Sequence, residues 1–343
     1  MTRYYHVDIN DFGGPENLRV IEQPQLPEPG PGEVRVKVLT AGTGFTDTII
    51  RKGQYVDVKT KPPFTLGYDW FGIIDKLGEG VSQLPLGQNV ADMSVIGGYT
   101  QYLCVPASRV ILAPEGLDPA EAVAMILSYT TAYQLLTRIR TLPKNSTCLV
   151  HAAAGAVGTA LLELGKLMGL KMYGTASSGK HITVRHYGAL PIDYQNEDFE
   201  KVIARETDGE GVDIVFDTIG AGNWARSRRC LKPGGLLVCY GVLQYTSGQE
   251  SLLATIIGFL KLKFLWQVLK NGRESTFYNI SHRRESHREQ FKEDVQRLFT
   301  LLQAKKLSPC IESIVPLSEA ASVHKRIDNA EITGKVILQC NVE

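Results

Sequence analysis

The sequence lacks three features that would place it in a special class of protein. Its six cysteines form no Cys-x-x-Cys pair, which argues against a structural zinc site and a disulfide framework. Its longest apolar run, residues 252–269, is interrupted by Lys261 and Lys263 and falls short of the roughly 20 apolar residues that a bilayer span needs. Its 37 Lys and Arg balance 36 Asp and Glu, so a general polyanion binder is excluded.

The opening segment, MTRYYHVDINDFGG, has no basic stretch followed by an apolar one, so we expect no secretory signal and a cytoplasmic protein with reduced cysteines. Hydrophobic residues make up 43% and charged residues 21% of the 343 positions. These fractions are typical of a globular protein and exclude a disordered one. The length is sufficient for two domains.

Two kinds of sequence follow one another along the chain. Residues 20–116 are rich in Gly and Pro and carry short β-favouring runs such as EVRVKVL, which predicts an irregular, mostly β domain. Beyond Asp118, apolar runs alternate with helical segments, and this alternation predicts a parallel sheet. The tail returns to a strand, a helix and a strand, and could rejoin the first domain. We therefore predict an α/β fold with one domain at 1–122, completed by 308–343, and a second at 123–307.

The segment LVHAAAGAVGTALLELG passes from an apolar strand through a turn of small residues into a helix. Gly155 would let the backbone approach a pyrophosphate, and Gly158 would let the helix pack closely on the strand. The helix N-terminus adds N–H groups and the positive end of the helix dipole. A tight turn without a ligand is the alternative, but the surrounding strand-helix alternation favours a dinucleotide site. The predicted cofactor residues of this turn are Ala154, Gly155, Ala156, Val157 and Gly158.

The end of the second strand of this series indicates which dinucleotide is bound. NAD-binding units carry an acidic residue there that holds the ribose 2′-hydroxyl, whereas this chain has GTASSGK. Ser177, Ser178 and Lys180 could bind a 2′-phosphate, and Tyr194, at the end of the third strand, could cover it. The alternative is that these residues only cap the next helix. We predict NADPH as the cofactor.

Ten stretches follow one another along nearly the whole chain, among them PGPGEVRVKV, AGTGFTDTIIRKGQY, LGYDWFG, HAAAGAVG, LKPGGLLVCYG and GKVIL. Together they resemble the zinc-independent quinone oxidoreductase branch of the medium-chain dehydrogenase/reductase family. GTASSGKH and PIDYQNEDF are most similar to the zeta-crystallin-like and synaptic vesicle membrane protein-like reductases of that branch. The resemblance implies a GroES-like, mainly β domain and a doubly wound Rossmann domain, with NADPH in the cleft between them. It also implies a homodimer joined through the nucleotide domain.

Zinc-dependent members of the family place a Cys before a Thr-Asp segment and a His in a Gly-His-Glu motif. The matching positions here are Gly44 and Tyr68. Glycine has no donor atom and a phenol is an unusual zinc ligand, so we expect no metal. We interpret His151, at the end of a strand, as a packed residue and not as a ligand.

The resemblance also supplies candidate catalytic and substrate residues. Tyr55 matches a tyrosine that is thought to assist protonation in the related enoyl-thioester reductases, and aromatic packing is its alternative role. The family pattern Gly-Val-Asn-Phe-x-Asp is replaced by Gly-Thr-Gly-Phe-Thr-Asp, so the usual cleft asparagine is missing at Gly44. The predicted substrate residues are Gly44, Phe45, Tyr68, Tyr129 and Thr131, of which the last two could instead cap or pack a helix. Asp217, Gly220, Gly241 and Val242 are the remaining predicted cofactor residues.

The sequence thus predicts a zinc-free reductase that transfers hydride from NADPH to a small quinone or α,β-unsaturated carbonyl compound, with no nucleic-acid partner. The alternatives are an enoyl-thioester reductase and an NADPH-binding adaptor or sensor with little catalysis. The aromatic and basic segment after Gln244 could be a substrate wall or a lipid contact, but an ordinary buried helix is favoured.

Overall fold

The computed structural model describes residues 2–268 and 272–341, so that Leu269, the end of the long apolar run, lies outside the described residues. The strands in chain order are β1 Tyr4–Ile9, β2 Leu18–Gln23, β3 Glu33–Gly42, β4 Phe64–Thr65, β5 Trp70–Leu77, β6 Asn89–Asp92, β7 Tyr102–Pro106, β8 Ile111–Leu112, β9 Thr147–Val150, β10 Lys171–Ala176, β11 Leu190–Asp193, β12 Val212–Asp217, β13 Leu231–Cys239, β14 Glu274–Phe277, β15 Ile311–Pro316 and β16 Lys335–Gln339. The α-helices are α1 Phe45–Arg51, α2 Pro119–Ala124, α3 Thr130–Thr137, α4 Ala156–Leu167, α5 His181–His186, α6 Phe199–Glu206, α7 Ala221–Arg229, α8 Leu243–Thr246, α9 Leu252–Leu260, α10 Trp266–Val268, α11 Ile280–Ser286, α12 Arg288–Gln303 and α13 Ala320–Asp328.

These elements form two compact units. The first unit comprises residues 1–130 and 283–343, and the second comprises residues 131–282. The domain limits expected from the sequence, 1–122 with 308–343 and 123–307, stay a prediction.

The first unit is built on mostly antiparallel sheets, although β15 and β16 at the edge of the main sheet pair in parallel. Its main sheet has the strand order β15-β16-β3-β5-β6-β8, with β7 also paired to β3. In β3, the β-branched residues Val34, Val36 and Val38 alternate along the strand and are fully buried, as the two-residue period of a strand requires. The tail completes this sheet, because Ile337 of β16 lies opposite Gly42 of β3.

The second unit is a six-stranded parallel sheet with the order β11-β10-β9-β12-β13-β14. Its strands read as continuous apolar runs because both faces are covered, and Cys148, Leu149 and Val150 of β9 are fully buried. The chain proceeds from β9 to β10 and β11 on one side and to β12, β13 and β14 on the other. The order therefore reverses beside β9, at the point where doubly wound sheets bind ligands. The predicted α/β fold with a GroES-like and a Rossmann domain is confirmed.

The segment after Gln244 has two different sides. Phe259 and Trp266 pack against the core of the second unit beside the buried Leu262, as expected for an ordinary buried helix. The same expectation is wrong for the opposite side, where Phe264 is 64% and Leu265 45% exposed. We call this side the apolar outer face; its exposed members are Leu252, Leu253, Ile256, Ile257, Leu260, Phe264, Leu265 and Val268.

Within the described ranges, no helix combines the length and the apolar character needed to cross a membrane.

Candidate cofactor and substrate sites

The glycine turn between β9 and α4 has the geometry of an anion site. Ala152 adopts a left-handed conformation with φ of +53°, and a Cβ on Gly158 would lie 2.3 Å from the Ala152 carbonyl oxygen. Only glycine fits at position 158, because this approach brings the helix against the turn. Gly155 is the N-cap of α4, and it is half-buried together with Ala156 and Val157. The first turn of α4, whose N–H groups have no intrahelical partners, is therefore accessible.

The residues that follow β10 form the second part of this site. Ser177 is followed by a short 3-10 turn, Ser178–Lys180, in which Ser178 and Gly179 are exposed. A Cβ on Gly179 would meet no atom within 4 Å. Two hydroxyls and an ammonium thus lie where an NAD-binding unit would carry a carboxylate, and there is open space beside them.

One carboxylate near this position could not be recognised from the sequence. Asp193 ends β11 directly opposite Ala176 of β10. Its carboxylate accepts hydrogen bonds from the Asn196 side chain at 2.8 Å and the Gln195 N–H at 3.1 Å, and these lower its pKa. The Asp193 carboxylate therefore already accepts hydrogen bonds from residues of its own turn. The neighbouring Tyr194 is 56% exposed.

The carboxyl ends of β12 and β13 lie next along the same edge of the sheet. Gly220 has φ of +143°, and a Cβ on Gly241 would lie 2.2 Å from the Thr218 hydroxyl oxygen. Both positions require glycine, because one is in the left-handed region and the other is in close contact with a neighbouring loop. Val242 follows and is half-buried.

Asp217 holds these loops in place by hydrogen bonds within the chain. It is fully buried, and its Oδ1 accepts the Ile219 N–H at 2.7 Å. Its Oδ2 accepts the Ser227 hydroxyl at 2.6 Å and the Asn223 amide at 2.9 Å. Three donors of the second unit thus bind this carboxylate.

In the first unit, the predicted catalytic residue Tyr55 and the predicted substrate residue Tyr68 are in contact through their hydroxyls. Their oxygens are 2.7 Å apart, and either can donate to the other. Their rings meet edge to face, with centroids 5.9 Å apart. Tyr68 is fully buried and Tyr55 is half-buried, so the inner hydroxyl orients the outer one.

Gly44 precedes α1 in an extended conformation, with φ of −157°, which any residue adopts. Its N–H donates to Asp47 Oδ2 at 2.9 Å. A Cβ on Gly44 would meet that oxygen at 3.6 Å, which is ordinary contact. No local contact therefore demands glycine where the family pattern has asparagine. Phe45 follows and is half-buried.

Asp47 was not singled out from the sequence, although it lies beside Gly44. It is fully buried, and its Oδ1 has no hydrogen-bond partner among the described residues. Burial and the nearby Asp69 raise its pKa to about 8, whereas Asp69 itself is paired with Lys335 at 3.1 Å. Burial and the neighbouring carboxylate therefore favour the neutral form of Asp47.

The structure buries the other two predicted substrate residues. Tyr129 is 2% and Thr131 5% exposed. Tyr129 ends a π-helical segment, Met125–Tyr129, and belongs to the first unit, whereas Thr131 belongs to the second.

In the described part of the chain, no three His, Cys, Asp or Glu residues form a group that could hold a metal ion. At the two positions where zinc-dependent relatives carry ligands, Gly44 has no side chain and the Tyr68 hydroxyl is bonded to Tyr55. The donor set that zinc prefers, thiolate and imidazole, is missing there.

The two units together define an oxidoreductase-type protein, with a GroES-like β unit and a parallel-sheet unit that has a glycine turn at its switch point. Two family models match the sequence: an alcohol dehydrogenase GroES-like domain over residues 30–115 and a zinc-binding dehydrogenase model over residues 188–338. The chain belongs to the medium-chain dehydrogenase/reductase family, and it fits the quinone oxidoreductase branch. The resemblance stated from the sequence is confirmed.

Similar proteins include a synaptic vesicle membrane protein VAT-1 homolog from Rattus norvegicus, which is 30% identical over 96% of this chain and 82% of its own length. A 2-haloacrylate reductase from Burkholderia sp is 29% identical over 96% of this chain and 97% of its own length. Among solved structures, the Escherichia coli quinone oxidoreductase complexed with NADPH has a TM-score of 0.85 at 27% identity, and the match covers 98% of this chain and 99% of that one.

Proposed function

We propose that the protein is a zinc-free, NADPH-dependent reductase of quinones or α,β-unsaturated carbonyl compounds. One observation carries the proposal: an accessible helix N-terminus with a glycine turn lies next to a strand end that offers Ser177, Ser178 and Lys180. A relative named as a 2-haloacrylate reductase and a quinone oxidoreductase complexed with NADPH support the substrate class.

The residues of the second unit fit this cofactor. The close approach of Gly158 to Ala152 leaves the first turn of α4 accessible to a pyrophosphate. Lys180 would supply a charge to the 2′-phosphate, and the Ser177 and Ser178 hydroxyls would donate to it. When bound, NADPH supplies the hydride, and the protein contributes orientation and charge stabilisation.

In the first unit, the Tyr55–Tyr68 pair would stabilise the carbonyl oxygen of the substrate. Hydride addition to a conjugated carbonyl places negative charge on that oxygen, and a preoriented O–H donor lowers the barrier. Tyr68 fixes the position of the Tyr55 hydroxyl through the 2.7 Å hydrogen bond. Tyr55→Phe should therefore lower kcat by roughly 100-fold and leave the Kd of NADPH nearly unchanged.

The cofactor assignment is tested by Lys180→Ala. Loss of a charge-assisted hydrogen bond to the phosphate should weaken NADPH by about 10- to 150-fold, or about 1.5 to 3 kcal/mol, while NADH binding barely changes. Lys201→Ala, an exposed lysine of α6, is the matched control and should affect neither. Equal losses for both cofactors in Lys180→Ala would refute the assignment.

The substrate class is tested by NADPH oxidation with quinones, enones and enoyl thioesters, together with metal analysis of the purified protein. Turnover on quinones or enones without bound zinc supports the proposal. A preference for enoyl thioesters would replace it with an enoyl-thioester reductase.

Gly44 favours a second candidate, an NADPH-binding adaptor or sensor with little catalysis. The family asparagine is missing there although its Cβ would fit. Tight NADPH binding without turnover on the whole acceptor panel would support this candidate, and Gly44→Asn should then introduce turnover.

We also propose a homodimer formed through the second unit. Among the described residues, β14 has a partner on one side only, and the apolar outer face belongs to the helical segment beside it. An exposed apolar face next to a strand edge favours contact with a second copy. Sedimentation should show a dimer that Ile256→Glu dissociates, while Val20→Glu, at a 46% exposed position of the first unit, leaves it intact.

A further inference from the structure

A line of buried polar side chains lies beneath the glycine turn of the second unit. Thr175 of β10, His151 after β9, Ser227 of α7 and Asp217 of β12 are each no more than 2% exposed. We call these four residues the His151 chain. They connect the carboxyl ends of three neighbouring strands, β10, β9 and β12, at the switch point of the sheet.

The hydrogen bonds of the His151 chain have a fixed direction. Asp217 carboxylate can only accept, so the Ser227 hydroxyl, 2.6 Å away, donates to it. Ser227 Oγ must then accept from His151 Nε2 at 3.0 Å. His151 therefore carries its proton on Nε2, and Nδ1 accepts from the Thr175 hydroxyl at 3.1 Å.

The other end of the His151 chain, at Thr175, reaches the backbone of the glycine turn. Thr175 Oγ1 accepts the Ala152 N–H at 3.3 Å, and the Thr175 carbonyl oxygen accepts the Ala153 N–H at 3.0 Å. Ala152 has the left-handed conformation of the turn, and its carbonyl oxygen is the atom that excludes a side chain at Gly158. The conformation of the turn thus depends on a hydroxyl that His151 orients.

We infer that His151 is a positioning residue for the dinucleotide: through Thr175 it holds the Ala152 peptide and so sets the N–H groups that would face the pyrophosphate. This inference rests on the proposed function, because it concerns the same site. It assigns to His151 a role that the interpretation as a packed strand residue does not include. The neutral ring is required, since a proton on Nδ1 would remove the acceptor for Thr175. Burial lowers the pKa of His151 and keeps the ring neutral.

Two substitutions divide the functions of the ring. His151→Asn places an amide oxygen near the position of Nδ1 and can still accept from Thr175, but it cannot reach Ser227. His151→Gln places an amide N–H near Nε2 and can still donate to Ser227, but it leaves Thr175 without its acceptor. Thr175→Val removes the hydroxyl at nearly constant volume. His324→Gln is the matched control, because His324 is the other fully buried histidine and lies in the first unit.

The experiment measures the Kd of NADPH, kcat at saturating NADPH, and Tm for all four variants. We expect His151→Gln and Thr175→Val to weaken NADPH by about 5- to 30-fold with kcat nearly unchanged. His151→Asn should stay within about threefold of the unaltered protein, although its Tm falls as much as that of His151→Gln. His324→Gln should lower Tm without changing the Kd.

A purely structural role predicts that affinity follows Tm, so equal losses of affinity in His151→Asn and His151→Gln would overturn the inference. A second readout is independent of the variants. Nitrogen NMR of the histidine ring should show a proton on Nε2 and none on Nδ1 of His151 between pH 6 and 8. The opposite tautomer would also overturn the inference. If the unaltered protein bound no NADPH, the proposed function itself would fail, and the positioning role with it.

Discussion

Each unit contains a buried histidine in a line of polar side chains, and the two lines serve different purposes. In the first unit, Arg51 Nη1 donates to His324 Nδ1 at 3.3 Å, and His324 Nε2 donates to the Tyr99 hydroxyl at 3.2 Å. We call these three residues the His324 chain. Because arginine can only donate, His324 has the same tautomer as His151, and burial lowers its pKa to about 3.

The His151 chain and the His324 chain differ in what lies at their ends. The His151 chain ends at the backbone of an accessible turn and at Asp217, whose carboxylate has three donors. The His324 chain begins at an ion pair between Arg51 and Asp328, with 2.5 Å between Nη2 and Oδ2, and ends at Tyr99, whose pKa is raised by burial and then by Asp47. The same chemistry therefore supports the turn of the proposed dinucleotide site in one unit and joins α1 to α13 in the other.

The largest effect is expected from breaking the ion pair of the His324 chain. Arg51→Met should lower the free energy of unfolding by about 3 to 5 kcal/mol, because it removes the donor of the buried His324 and one of the two cations that pair with Asp328. Lys52→Met is the matched control, since Lys52 contacts the same carboxylate at 3.0 Å from a partly exposed position, and should cost about 0 to 1 kcal/mol. Equilibrium urea unfolding measures both. Similar losses would show that Arg51 acts as a surface charge.

The second-largest effect is expected in the pH dependence of stability, to which Asp47 of the first unit contributes. Asp47 has a pKa of about 8 in the folded protein and an ordinary, lower one when unfolded, so the folded state holds more protons between pH 5 and 7. The free energy of unfolding should therefore fall as the pH rises from 5 to 7. Asp47→Asn should make this fall smaller by up to about 2.7 kcal/mol. Urea unfolding at both pH values measures it. Asp11→Asn, at an exposed position, should leave the pH dependence unchanged.

The smallest effect is expected within the His151 chain. Ser227→Ala removes one donor from Asp217 and the acceptor of His151 Nε2, and should lower the free energy of unfolding by about 1 to 3 kcal/mol. Ser247→Ala, at an exposed position, should change it by less than about 0.5 kcal/mol. A loss in Ser227→Ala as small as in the control would mean that water replaces the hydroxyl. Thermal unfolding of the protein without cofactor measures both.

Much of the fold could be predicted because its signals are local. The apolar runs between helical segments indicated the parallel sheet, and the turn from Val150 to Gly158 could be recognised within a dozen residues. The site was predictable only in part. Asp193 escaped notice because it lies opposite Ala176 only once β10 and β11 pair, and the outer exposure of Phe264 depends on which side of the helix packs.

The sequence by itself determined the order of strands and helices, the glycine turn and the hydroxyls and lysine after β10, because residues close in the chain specify them. Only the tertiary structure decided which distant polar groups meet. His151 and Ser227 are 76 positions apart, and Arg51 and His324 are 273 apart. Burial then lowered the pKa of both histidines, because a group removed from water loses its charge unless a partner stabilises it.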